Sequence, residues 1–127
     1  MGETSFIDVA ATPGTSLIAG QALNLYAEDS AVVGSSTVNV LTYTVTVGSI
    51  FKIQGFSGTG GPAARYTLKI DSSKRSSLKT SAAKPSNFVN FGNGFIVATG
   101  GEIVTVSVFH SEQTAHEFAI NLWGSLV

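Results

Sequence analysis

Apolar and polar residues alternate with a two-residue period along much of the chain, the period of half-buried β-strands. In Tyr43-Thr44-Val45-Thr46-Val47, Tyr43 and the two valines fall on one face and the threonines on the other. The pattern returns over residues 66–70, 104–108 and 118–122. Residues 21–28 repeat it, with Leu23, Leu25 and Ala27 inward and Asn24, Tyr26 and Glu28 outward. The run over 37–47 slips by one residue at Val40-Leu41, which predicts a bulge or a change of sheet.

Turn residues divide these runs. Gly48-Ser49 joins two apolar stretches and predicts a hairpin of 43–47 with 50–56. Gly55 and Gly58-Thr59-Gly60-Gly61-Pro62 read as a flexible loop ending that hairpin. Residues 65–71 form a strand with Arg65, Thr67, Lys69 and Asp71 outward, 76–80 a polar strand, and 81–86 a loop. Short strands at 87–91 and 95–98 flank Gly92-Asn93-Gly94, whose Asn-Gly step is a turn signal. Thr99-Gly100-Gly101-Glu102 then turns into the strand at 103–109, and 115–123 closes the chain.

Eight or nine strands with no helical period describe an all-β fold. The expected architecture is an antiparallel two-sheet sandwich of jelly-roll type. An immunoglobulin-like sandwich is the alternative, without the Cys…Trp…Cys hallmark. Residues 1–20 read as an N-terminal arm packing on the sandwich or on a neighbour, and 21–127 as a single β-sandwich domain. At 127 residues the chain can bury a core without covalent staples. The eight phenylalanines are assigned to that core.

Charge changes the picture. Only 12% of residues are charged, against about 25% in a typical soluble domain. Ser, Thr, Asn and Gly occupy outward positions where Lys and Glu usually keep a monomer soluble and guard strand edges. Much of the surface is therefore expected to meet protein, either further copies of the chain or a larger assembly. A net charge of −1 gives no basic field for nucleic acid. The basic stretch Lys74, Arg75, Lys79 and Lys84 reads as a solvated loop or hairpin before a phosphate or lipopolysaccharide contact. No cysteine is present, so disulfides and thiolate chemistry are absent. Met1-Gly2-Glu3-Thr4 lacks the basic start of a signal peptide, and no apolar run approaches the roughly 18 residues of a membrane-spanning helix. No membrane partner is expected.

Candidate chemistry is sparse. His110 and His116, with Glu112 and Glu117, form the one cluster that a hairpin could gather around a metal such as zinc. Adjacent His116 and Glu117 face opposite ways on a strand, so at most three of the four converge, and the simpler reading is a polar hairpin tip. No carboxylate pair is marked for glycoside cleavage, no Gly-x-Ser-x-Gly elbow is present, and Gly58-Thr59-Gly60-Gly61 lacks the Lys-Ser/Thr end of a phosphate loop. No enzyme activity, cofactor or metal is expected. Tyr26 and Trp123 fall on outward positions. Flat aromatic faces bind sugar rings or plug subunit interfaces, and the low charge favours the interface.

The segments 43–48, Ile50-Phe51-Lys52-Ile53-Gln54-Gly55, Ala64-Arg65-Tyr66-Thr67-Leu68-Lys69-Ile70-Asp71, Gly100-Gly101-Glu102-Ile103-Val104-Thr105-Val106 and 117–124 carry a resemblance. Together they resemble small β-sandwich accessory structural proteins of tailed bacteriophage virions, over about two-thirds of the chain. The resemblance implies a non-enzymatic capsid decoration or cement protein, assembled in the host cytoplasm and located in the virion. It implies a homotrimer whose partners are its own copies and the major capsid protein or another virion protein. An N-terminal arm would reach across capsomers. The interface residues expected on this reading are Phe6, Ile7 and Val9 of the arm, with Tyr26 and Trp123. The alternative is a receptor- or glycan-binding module of a phage tail or baseplate, with Trp123 or Tyr26 in an open groove.

Overall fold

The computed structural model describes residues 21–92 and 94–127. Among these residues the fold is all-β, two antiparallel sheets facing each other. The strands are β1 (Gln21–Val32), β2 (Val38–Thr44), β3 (Ile50–Gly60), β4 (Ala64–Ile70), β5 (Ser73–Lys79), β6 (Ser86–Asn90), β7 (Ile96–Thr99), β8 (Ile103–His110) and β9 (His116–Leu126). One sheet has the order β1-β9-β3-β6, with β7 also on β3, and the other the order β2-β8-β4-β5. First pairs with last, second with second-last, and so inward to the β4–β5 hairpin. Such nested pairing, rolled into two sheets, is the jelly-roll order. It replaces the immunoglobulin-like alternative.

The alternation is realised strand by strand. Tyr66, Leu68 and Ile70 of β4 point inward, as do Val104, Val106 and Val108 of β8 and Phe118, Ile120 and Leu122 of β9. With Phe51, Ile53 and Phe56 of β3 they fill the space between the sheets. Burying each such side chain contributes about 1.5–3 kcal/mol. The slip at Val40-Leu41 is a bulge: the β2–β8 register shifts between Asn39 and Leu41, which keeps Leu41 inward after the extra residue.

Two connections differ from expectation. Gly48-Ser49 does not close a hairpin. The turn itself forms, with Ser49 N–H donating to the Thr46 carbonyl at 3.0 Å and Gly48 at φ 93°. Its flanks belong to opposite sheets: Val45 N–H donates to the Glu102 carbonyl, whereas Ile50 and Val127 exchange both backbone bonds. Both flanks carry inward apolar residues, and Tyr43 meets Phe51 edge-to-face across the core at 5.7 Å between ring centroids. A tight link between two amphipathic strands satisfies their apolar faces equally well as an arch over the core, and longer partners complete the ladders.

The glycine-rich segment that follows is strand, not loop. β3 runs unbroken to Gly60, with Gly55 and Gly58 inside it. A side chain at Gly58 would enter the Tyr66 ring, so glycine there admits the largest fully buried side chain. Downstream, β6 and β7 both run antiparallel to β3, one after the other along the same edge. They are one interrupted edge strand and not the arms of a reversal, and Asn93 between them lies outside the described residues.

Candidate functional site

The outer face of the five-stranded sheet gathers the exposed aromatic residues among those described. Strand register fixes its rows: Asn24, Trp123, Gly55 and Asn90 lie side by side across β1, β9, β3 and β6, and Tyr26, Asn121, Ser57 and Phe88 form the next row. Glu28, Ala119, Thr59 and Ser86 form a third. With strands about 4.8 Å apart and rows about 6.8 Å apart, Tyr26 and Phe88 stand roughly 14 Å from each other, with Trp123 between and below them.

Each ring is held differently. Tyr26 is 60% exposed and its hydroxyl donates to Glu28 Oε1 at 2.8 Å. That hydrogen bond is the main reason the phenol lies above its ordinary value of 10.0, with burial and the charges of Glu28 and Glu117 adding to it. Phe88 is 65% exposed on the edge strand. Trp123 faces outward as the alternation predicts but is half-buried, because its ring lies across β3 at Gly55. A Cβ at Gly55 would come 2.5 Å from Trp123 Cζ2, so the missing side chain is the ring's seat. Beside Tyr26 a shallow open depression of about 450 Å³ is lined by Glu28, Thr59, Gly60, His116 and Glu117.

The core expectation for phenylalanine fails at Phe88, Phe95 and Phe109. All three face outward, Phe95 beneath the Lys52 ammonium and Phe109 beneath the Arg65 guanidinium. The signal for Phe88 was its place between Asn87 and Val89, which are the inward residues of β6. Phe6, Ile7 and Val9 lie outside the described residues.

The histidine cluster is a structural pin. His110 is buried, its Nε2–H donating to the Val32 carbonyl at 2.8 Å and its Nδ1 accepting from Glu112 N–H at 3.3 Å. Both ring nitrogens are thereby occupied, and the two bonds define the tautomer. The ring packs on Phe118 and meets His116 edge-on, with centroids 5.3 and 5.5 Å away. His116 Nε2 lies 3.1 Å from the Thr114 hydroxyl. Among the described residues no group of three or more His, Cys, Asp or Glu side chains is placed to hold a metal ion.

The opposite sheet presents a different surface. Its outward rows contain Thr105, Lys69 and Lys74, then Ser107, Thr67 and Ser77, then Phe109, Arg65 and Lys79. Buried polar atoms without a partner among the described residues are the Tyr66 hydroxyl and Ser107 Oγ. Burial pushes the Tyr66 phenol up to about 12. Neighbouring Thr80 opposes that shift, but its hydroxyl accepts from Ala64 N–H and makes no well-aligned bond to the phenol. Compared with known proteins, the chain matches no family model and no curated protein.

Proposed function

We propose that this chain is a non-enzymatic structural protein of a tailed-phage particle, a decoration or cement protein that adds contacts to the assembled head. The observation that carries this reading is the outer face of the five-stranded sheet. Tyr26, Trp123 and Phe88 stand there among Asn24, Asn90, Asn121, Ser57 and Thr59, with charge confined to its margins at Glu28, Glu117 and Lys52. Aromatic anchors within a neutral, amide-rich surface have the composition of a protein–protein interface core. The jelly-roll order and the resemblance of the sequence to virion accessory proteins support the same reading.

The mechanism is mass action. A protein that binds the expanded lattice better than its precursor stabilises the expanded state by that difference in affinity. Contacts repeated over many copies convert weak individual binding into firm attachment. Self-association into a trimer through the aromatic face, with the arm engaging capsomers, is the arrangement proposed.

The test is co-sedimentation with purified expanded phage heads, comparing the wild-type chain with a Tyr26→Lys/Phe88→Lys double variant. Both positions are exposed, so the variant is expected to fold, which its melting curve checks. Loss of pelleting by the variant is expected; equal pelleting by both proteins, or none by either, contradicts the reading.

A further inference from the structure

We infer that the outer face of the β2-β8-β4-β5 sheet binds a linear anionic polysaccharide along strands β4 and β5. This surface lies on the sheet opposite the aromatic face and does not depend on the function proposed above.

Six of the seven Lys and Arg residues fall between Arg65 and Lys84, and Asp71 is the one carboxylate in that stretch. Neither β4 nor β5 contains an acidic residue. Asp71 sits at the turn between them, where its Oδ1 accepts from Ile103 N–H at 3.0 Å. Register places Lys69 directly opposite Lys74 and Arg65 directly opposite Lys79. Cations paired across a ladder repel and destabilise the sheet, and here two such pairs share one ladder. Lysines on an edge strand deter pairing with other chains, which accounts for Lys74 and Lys79 of β5. It does not account for Arg65 and Lys69, because β4 lies between β8 and β5.

The geometry selects the partner. The two cation pairs are four residues apart along the strands, about 13 Å, with Thr67 and Ser77 paired between them. A single phosphate cannot span that distance, whereas a chain of acidic sugars supplies charges at intervals and hydroxyls between them. Thr67, Ser77 and Thr42 offer partners for those hydroxyls. Ser107 Oγ, in the floor of the same face, is 1% exposed and has no hydrogen-bond partner among the described residues. The central carbon of the Arg65 guanidinium lies over the Phe109 ring, 5.4 Å from its centre, a cation–π placement that restrains the group before a ligand arrives. Covered in that way, Phe109 offers no stacking platform for a nucleobase.

The experiment measures binding of the full chain to dextran sulfate, uncharged dextran, a single-stranded DNA oligonucleotide and polyglutamate across a salt series. Dextran sulfate is expected to bind with affinity that falls as salt rises, and more tightly than any other probe. Lys69→Gln/Lys74→Gln and Arg65→Gln/Lys79→Gln are each expected to weaken it tenfold or more, with the logarithmic salt slope reduced by about two. Lys69→Arg/Lys74→Arg retains binding, and melting curves confirm that every variant folds. No binding of dextran sulfate, or unchanged binding by both glutamine variants, overturns the inference. Equal or tighter binding of DNA overturns it in favour of nucleic acid, of polyglutamate in favour of an acidic protein, and of uncharged dextran against any role for charge.

Discussion

A methyl group added at Gly55 probes the seat of Trp123 directly. In Gly55→Ala the new Cβ would lie 2.5 Å from Trp123 Cζ2 and 2.5 Å from the Val89 carbonyl oxygen, where carbon contacts normally settle at about 3.5–4.0 Å. The carbonyl belongs to the backbone of β6, so the indole must lift and the edge strand must also give way, each by roughly an ångström. Overpacking of that size costs about 1–3 kcal/mol. The reduced freedom of the unfolded chain offsets about 0.4–1 kcal/mol, leaving a net loss of about 1–2 kcal/mol. With a urea dependence of about 2 kcal/mol per molar, the unfolding midpoint should fall by about 0.5–1 M. Trp123 is the single tryptophan, so its fluorescence reports both the transition and the folded baseline, which should shift red as the ring lifts. Gly94→Ala is the control, because its Cβ would meet only the Phe91 carbonyl oxygen at an ordinary 3.5 Å, and it should change stability by less than about 0.5 kcal/mol. A Gly55→Ala protein with wild-type midpoint and wild-type emission would refute the packing of Trp123 on β3.

Other positions give independent tests. His110→Ala removes a buried ring and leaves the Val32 carbonyl and Glu112 N–H without partners, so urea titration should show a loss of about 3 kcal/mol or more; a loss below about 1 kcal/mol contradicts the pin. Tyr66→Phe removes a buried hydroxyl that has no hydrogen-bond partner among the described residues and is expected to leave stability unchanged or raise it by up to about 1 kcal/mol. The wild-type protein should lose stability as pH rises from 10 towards 12, because the unfolded phenol ionises near 10.0 and the folded one near 12. The sign follows from the raised folded value: the contribution is complete below pH 10 and disappears as pH passes through 12. Urea midpoints for both proteins across this range test it, and an equally steep fall in Tyr66→Phe contradicts that origin.

Local periodicity made much of the architecture readable. Strands β1, β4, β8 and β9, each with one face in the core, announce themselves by strict alternation, and the Val40-Leu41 slip marks a bulge because an extra residue must leave the ladder. What escaped was decided by partners distant in the chain. Gly48-Ser49 has the length of a hairpin turn, but pairing of its flanks with β8 and β9 makes it an arch. Gly55 and Gly58 look like loop glycines until Trp123 and Tyr66 are seen to occupy the space of their side chains. At the candidate site, alternation alone places Tyr26 and Trp123 outward, whereas residue type alone places Phe88 in the core. The cation pairs of β4 and β5 were invisible for another reason: outward positions can be read from a sequence, but which residues stand opposite one another depends on the bulge that leaves Arg75 unpaired.

The central claim, that the aromatic face joins protein subunits, is tested most directly by the molar mass of the purified chain from light scattering after size exclusion. A stable trimer of the 13.1 kDa chain, reduced to monomer in Tyr26→Lys/Phe88→Lys, is the predicted result. A wild-type protein that stays monomeric at the highest soluble concentration, or a double variant that remains trimeric, would contradict it.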